Sequence, residues 1–263
     1  MTSEASPPVG EKDRREYSRP PIIEALCQFT FATPIAWSPI LPGMLFEKIR
    51  GTYPAEPEVQ QQVQANVQFP NDAAGQAQFQ LGQGEQRLIY RSEDLTRLAV
   101  ISPSTVSANS LAPYEGWPSL SRRLRELVDQ AQDLFRGAAV ASVSVRYINR
   151  VFLPLTDTDS VESYFNIPYR PVGGLNGTTD ALLHRVESTL SDGATRGLLT
   201  FSSVEPAEDE RGGKAFVLDL EFLRSLSPAS DFESALRVAE ELKGLENTEF
   251  EACITDRTRE LFQ

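Results

Sequence analysis

Apolar and polar residues alternate from Ile23 to Phe31, so that Ile23, Ala25, Cys27, Phe29 and Phe31 share one face at period two. That pattern predicts a half-buried strand. Pro34, Pro39 and Pro42 punctuate its exit, and Leu41, Met44, Leu45 and Ile49 then recur at helical spacing until Gly51 and Pro54 stop the helix. Residues 60–86 contain ten glutamines and alternate around Val63, Ala65, Val67 and Phe69, then Ala77, Phe79 and Leu81. Two solvent-facing strands joined by a turn near Asn71–Gly75 are expected there, with a low-complexity loop as the alternative. Three compact strands follow at Arg87–Arg91, Thr96–Ile101 and Thr105–Ser110, and their short connections make them antiparallel neighbours. Leu120, Leu124, Leu127, Val128, Ala131, Leu134 and Phe135 predict an amphipathic helix over Pro118–Arg136, with Pro118 at its first position and Gly137 as its stop.

A second series repeats this order. Along a strand from Ala139 to Leu153, Val143, Val145, Tyr147 and Val151 face one way and Ser142, Ser144, Arg146 and Arg150 the other, before Pro154 closes it. A short helix around Asp159–Phe165 leads into a Gly/Pro-rich connection over Pro168–Thr179. Strands are predicted at Ala181–Leu190, Thr195–Ser203 and Lys214–Leu223. Ser230 and Glu233 read as a capping box for a terminal helix that bends at Gly244 and continues through Phe250 and Ile254. The fold class is therefore α+β, with antiparallel sheets packed on helices. The matching order suggests an internal duplication of a strand-helix-meander-helix unit, with residues 21–137 and 138–263 as two halves of one compact unit. Residues 1–20 balance four acids against four bases, carry several prolines and have almost nothing apolar, so a disordered tail is expected there.

Charge narrows the function classes. Asp+Glu 37 against Lys+Arg 25 gives a net charge of −12, which disfavours a nucleic-acid binder because phosphate neutralisation needs a basic face. The excess is local, since residues 204–263 contain fifteen acids and seven bases, and that end could receive a basic partner. No run approaches the roughly 20 apolar residues of a membrane helix, and the N-terminus lacks a secretory pattern, so a cytoplasmic protein without a membrane partner is expected. Cys27 and Cys253 lie in apolar patterns and read as inert core thiols.

No catalytic constellation is recognisable. Gly173–Gly177 lacks the lysine of a phosphate-binding loop, Cys27, His184 and Cys253 have no metal-ligand spacing, and Glu205 with Glu208–Glu210 reads as a solvated hairpin tip. No cofactor or metal is therefore expected. His184 aligns with Leu182, Val186 and Leu190 and reads as a hydrogen-bonded inward residue. The informative polar pattern is spread over strands: Arg146 and Arg150, Arg185 and Glu187, Arg196 and Thr200, and Asp219 and Glu221 would share the sheet face opposite the core. Cross-strand ion pairs that only stabilise the sheet are one reading. The other is a binding platform using Arg146, Arg150, Arg185, Glu187, Asp219 and Glu221, with guanidinium anchors.

Three segments, Pro20-Pro21-Ile22-Ile23-Glu24-Ala25, Arg146-Tyr147-Ile148-Asn149-Arg150 and Phe250-Glu251 followed by Ile254-Thr255-Asp256, occur in an order and spacing that resembles a sporadically distributed family of uncharacterised bacterial proteins of about 250 residues. This chain has Lys243 where that family often places a histidine. The resemblance implies no established activity, and patchy distribution points towards an accessory or neutralising part of a bacterial conflict or defence locus. The expected function is a non-enzymatic interaction module whose partner is another protein, with a homo-oligomer also compatible. An enzyme or small-ligand protein with a polar pocket between the halves, built from Arg146, Arg150, Asp219 and Glu221, is the alternative. A nucleic-acid-binding saddle conflicts with the charge.

Overall fold

The computed structural model describes residues 15–68, 78–154, 160–168 and 181–263 and, within 62–84, the backbone only. Among the described residues the chain forms one continuous antiparallel sheet of nine strands with four α-helices. In chain order these are β1 (Ile22–Phe31), α1 (Leu41–Ile49), β2 (Glu58–Gln68), β3 (Gln78–Arg91), β4 (Arg97–Ile101), β5 (Thr105–Leu111) and α2 (Trp117–Gln130). Then come β6 (Val140–Leu153), a 3-10 turn at Val161–Ser163, β7 (Leu183–Thr189), β8 (Thr195–Val204), β9 (Lys214–Ser230), α3 (Phe232–Cys253) and α4 (Asp256–Glu260). The spatial order is β2-β3-β4-β5-β1-β6-β9-β8-β7. The two long strands that open the halves thus pair at the centre of a single sheet, and each meander starts at a sheet edge and runs inward to that seam.

The seam aligns Ala25 with Tyr147, Cys27 with Val145 and Phe29 with Val143. All six side chains are buried under the helices. Period-two alternation leaves Glu24, Leu26, Gln28 and Thr30 of β1 on the opposite face with Ser144, Arg146 and Ile148 of β6. The apolar stripe of α2, Leu120, Leu124, Leu127 and Val128, packs on β1 and β5, while α3 lies over β6 and β9 through Ala235, Leu236, Ala239 and Leu242. Phe31, Phe135 and Phe232 fill the space between them at ring separations of 5.6–6.3 Å. A second apolar cluster lies under the outer strands, where Phe165, Phe201 and Phe216 pack with centroids 4.6–5.9 Å apart beside Phe250, Ile254 and Phe262.

Several local expectations change. The terminal helix is capped by Asp231, whose carboxylate accepts from the Ser234 backbone N–H at 2.7 Å, rather than by Ser230. Ser230 belongs instead to β9, which continues past Leu223. Among the described residues Pro228 lies past the last β8 pair, at Arg224, and in the irregular stretch where the register with β6 shifts between Ser225 and Ser230, so it is tolerated where a regular central strand would exclude it. α3 passes through Gly244 as one helix, and α2 ends at Gln130, with a series of turns leading to Gly137. Met44 faces outward, while Leu41, Leu45 and Ile49 form the buried face of α1. The predicted turn at Asn71–Gly75 and most of the Pro168–Thr179 connection lie outside the described residues.

Residues 15–20 fall within the segment expected to be a tail, yet they dock on the C-terminal turn. The Tyr17 ring meets Phe262 edge-on at 5.3 Å, its hydroxyl donates to Glu251 at 2.6 Å, and Arg19 donates to the Gln263 carbonyl at 2.7 Å. Aromatic burial and charge-assisted hydrogen bonds offset the ordering entropy that composition alone says cannot be recovered.

Phe201 is fully buried in the outer cluster. Phe201→Ala is expected to lower unfolding free energy by about 3–5 kcal/mol, whereas Leu183→Ala on the exposed edge strand changes it by less than about 0.5 kcal/mol. Urea denaturation of both variants, followed by far-UV circular dichroism, checks this contrast.

Candidate functional site

All six residues of the predicted platform stand on the sheet face opposite the helices. The register makes this unavoidable: Arg146 pairs with Glu221, Glu221 with Leu198 and Leu198 with Glu187, while Asp219 pairs with Thr200 and Thr200 with Arg185. Directly cross-strand residues share a face, so the row crosses β6, β9, β8 and β7 on one side. Their contacts are specific. Arg146 reaches diagonally to Asp219 in a two-point fork at 2.8 and 2.6 Å, and Ser144 donates to Glu221 at 2.6 Å. Arg185 and Arg196 converge on Glu187 at 2.7 and 2.8 Å. Arg150 makes its fork with Glu210, in the loop between β8 and β9, at 2.7 and 2.6 Å.

Arg150 is therefore separated from the Arg146–Asp219 pair and held by a residue the sequence analysis places on a solvated tip. Glu210 also accepts from the Ala207 backbone N–H at 2.7 Å, so it is fixed from two sides. These bonds, with that of Arg150 foremost, pull its carboxyl down to about 2. The Asp219 fork raises the Arg146 guanidinium, and Arg185 holds Glu187 below the ordinary carboxylate range. Between the charged groups, Leu26, Ile148, Val217, Leu198 and Leu223 remain half-buried on the same face. The result is a broad surface of apolar patches among ion pairs. Of the four residues named for the pocket alternative, Arg146 is forked with Asp219, Glu221 accepts from Ser144, and Arg150 turns to Glu210.

A cavity does exist at the seam, on the helix side of the sheet. It measures about 410 Å³ and is lined by Tyr114, Trp117, Tyr147, Asn149, Lys243 and Glu246 among others. Lys243 and Glu246 are 8% and 2% exposed and form an ion pair of 2.5 Å on α3. The Lys243 ammonium lies 3.8 Å from the centroid of the Tyr147 ring, and the Tyr147 and Tyr114 hydroxyls share a hydrogen bond of 2.6 Å. Burial pushes the Glu246 carboxyl upward against the pull of Lys243, and burial likewise raises the Tyr147 phenol. The docked segment containing Tyr17, Pro20 and Pro21 forms another wall.

None of these residues was among the predicted site residues, although the sequence contains a signal for them. Leu236, Ala239, Lys243, Glu246 and Phe250 follow one another at helical spacing, so a lysine and a glutamate interrupt an otherwise apolar stripe. His184 is half-buried on β7, facing the same side as Phe201, and among the described residues no cluster of metal-ligating side chains is present. Cys27 and Cys253 are both buried and not bonded to each other, and burial raises both thiols, Cys253 to about 12. Comparison with protein-family models and with curated proteins finds no match to this chain.

Two predictions follow from these pairs. Glu210 has a folded pKa below its unfolded value, so its contribution to stability is complete above about pH 4.5 and is lost as pH falls towards 2. The stability difference between the native chain and Glu210→Gln, measured by urea denaturation, is expected to close over that interval. For the buried pair, Lys243→Met alone leaves a buried carboxylate and is expected to cost about 3–5 kcal/mol. Lys243→Met with Glu246→Leu removes both charges and is expected to restore most of that loss, which paired thermal melts would show.

Proposed function

We propose that this chain is a non-enzymatic protein-interaction module whose docking surface is the helix-free face of the sheet. The observation that carries this reading is the combination of apolar residues and fixed guanidinium forks on one continuous face. Leu26 and Ile148 lie at the seam, Val217, Leu198 and Leu223 lie outward, and Arg146 and Arg185 stand among them in geometries already set by Asp219 and Glu187. Protein interfaces combine an apolar centre with a polar rim, and arginine is enriched where binding energy concentrates. Preset side chains also reduce the entropy lost on association. The partner is a protein with a basic contact region, because the adjacent β8–β9 loop holds Glu205, Glu208, Asp209 and Glu210 with Arg211 as its one base. A nucleic-acid role is disfavoured by the carboxylates that already engage Arg146, Arg150, Arg185 and Arg196.

The strand order on either side of the seam supports an origin by internal duplication. In each half the opening strand is central and the last strand of the meander lies directly beside it. Taken with the resemblance to a patchily distributed bacterial family, the reading extends to an accessory or neutralising component of a conflict locus in the cytoplasm.

The test compares affinity capture from native cells using the unaltered chain, Arg146→Ala/Arg185→Ala, and Arg125→Ala on exposed α2. A partner recovered with the first and third proteins but depleted about tenfold or more with the face variant supports the proposal. Equal recovery by all three, or a chain that remains an unpartnered monomer in its own lysate, rejects it.

A further inference from the structure

From the β7 edge of the sheet we infer that the chain associates with a second copy of itself, by antiparallel pairing of β7 with β7 about a two-fold axis at Val186. Among the described residues β7 is the last strand of the sheet and pairs with β8 alone, in an unbroken register from Leu183 to Thr189. The backbone N–H of Leu190 donates to the Thr195 carbonyl at 2.8 Å, and that of Ser203 donates to the Leu182 carbonyl at 3.0 Å. Even-numbered residues from Leu182 to Leu190 therefore turn their backbone groups to β8. The N–H and C=O groups of Leu183, Arg185, Glu187 and Thr189 point outward, and such a row is a template for a further strand.

Charge selects both the partner and the register. When two copies of β7 pair through these outward groups, the axis must pass through a residue position. An axis at Arg185 or at Glu187 sets like charges directly opposite each other, which is unfavourable, and an axis at His184 or Ser188 shortens the overlap. An axis at Val186 pairs the whole strand. It sets Arg185 of each copy opposite Glu187 of the other, and Leu183 opposite Thr189, so the surface is complementary to itself, as a two-fold interface requires. Edge strands that resist association carry prolines, lysines or bulges. β7 reads Leu-His-Arg-Val-Glu-Ser-Thr, with opposite charges placed symmetrically about its centre.

The existing contacts of these side chains are compatible with such pairing. Arg185 donates to Glu187 at 2.7 Å and to Thr200 at 3.1 Å, and Arg196 donates to Glu187 at 2.8 Å, yet the three ionic side chains are 44–52% exposed. Ion pairs this exposed contribute little and exchange partners readily. The association itself rests on main-chain groups that β8 does not engage. On the helix side, the axis brings together Val186 of both copies, a residue 43% exposed that borders an apolar groove with Leu190, Leu199 and Phe222. A seven-residue edge is smaller than a permanent dimer interface, so a concentration-dependent equilibrium is expected. The two nine-stranded sheets then join edge to edge.

Sedimentation velocity of the purified full chain from about 1 to 500 μM is expected to show reversible exchange between monomer and dimer. A monomer throughout that range, which leaves the edge to a different occupant, overturns the inference. Val186→Cys places two thiols at the axis, where directly opposed Cα atoms are about 4.5 Å apart and within disulfide reach. Under mild oxidation it is expected to form a covalent dimer about tenfold or more faster than His184→Cys, whose thiols lie about four residues apart along the strands. Equal rates overturn the proposed axis. The native thiols Cys27 and Cys253 are buried and leave the comparison clear. Arg185→Glu and Glu187→Arg are each expected to weaken dimerisation by about tenfold or more, and an equimolar mixture of the two variants to restore it, because every facing pair is again of opposite sign. Failure of the mixture to recover rejects the pairing. These readings use the purified chain alone, so self-association can fail while capture of a different protein on the sheet face holds, and the reverse.

Discussion

The pairing of β1 with β6 is the constraint on which the rest of the molecule depends. It joins two meanders into one sheet, and its register decides what each face can be. With Ala25 opposite Tyr147 and Cys27 opposite Val145, one side becomes an apolar floor for α2 and α3, and the other acquires Glu24, Arg146 and Ile148. A slip of one residue would exchange those sets, placing Arg146 under the helices and Val145 in solvent. The energetic penalty of burying an unpaired guanidinium makes such a slip strongly unfavourable. The same pairing brings α2 and α3 together, since each helix follows the meander strand that flanks the seam. The cavity sits where the inner apolar cluster, which contains Tyr147, gives way to the outer cluster, which contains Phe250.

Much of the sheet was legible because alternation survives wherever one face is buried and the other is not. The central strand illustrates this: Val143, Val145 and Tyr147 against Ser144 and Arg146 reads unambiguously, and the structure places them on opposite faces. Alternation does not reveal where a strand ends. The predicted end at Leu223 falls short of Ser230, because β9 continues through an irregular stretch between Ser225 and Ser230 in which the missing N–H of Pro228 is inexpensive. Residues 15–20, the described part of the predicted tail, dock for a reason that composition does not carry. Composition measures what residues 15–20 can bury by themselves, whereas Tyr17 and Arg19 are ordered by contacts with Phe262 and Gln263 at the far end of the sequence.

The candidate surfaces differed in legibility. The sheet-face residues were readable as a set because they follow from strand period alone, although the fork between Arg150 and Glu210 depends on how a loop folds back over the strand. Lys243 and Glu246 are not legible as a pair in the sequence, because charged residues on helices usually face water. Recognising them requires knowing that the stripe carrying them stays buried beyond Leu242, and that follows from Tyr147, a residue almost a hundred positions away in sequence. A charged pair within an apolar stripe is a usable signal in retrospect, but its meaning depends on the opposing wall.

The central position of β1 also bears on how the protein is made. A nascent chain emerges from its N-terminus, yet β1 can complete only the β5 side of its pairing until β6 has been synthesised. α3, which covers β6 and β9, emerges later still. Until then the β6-facing edge of β1, and the sides of Phe29 and Phe31 that meet Phe232 of α3, remain available to other chains, so translation speed through the second half sets how long the growing polypeptide is exposed to misassociation.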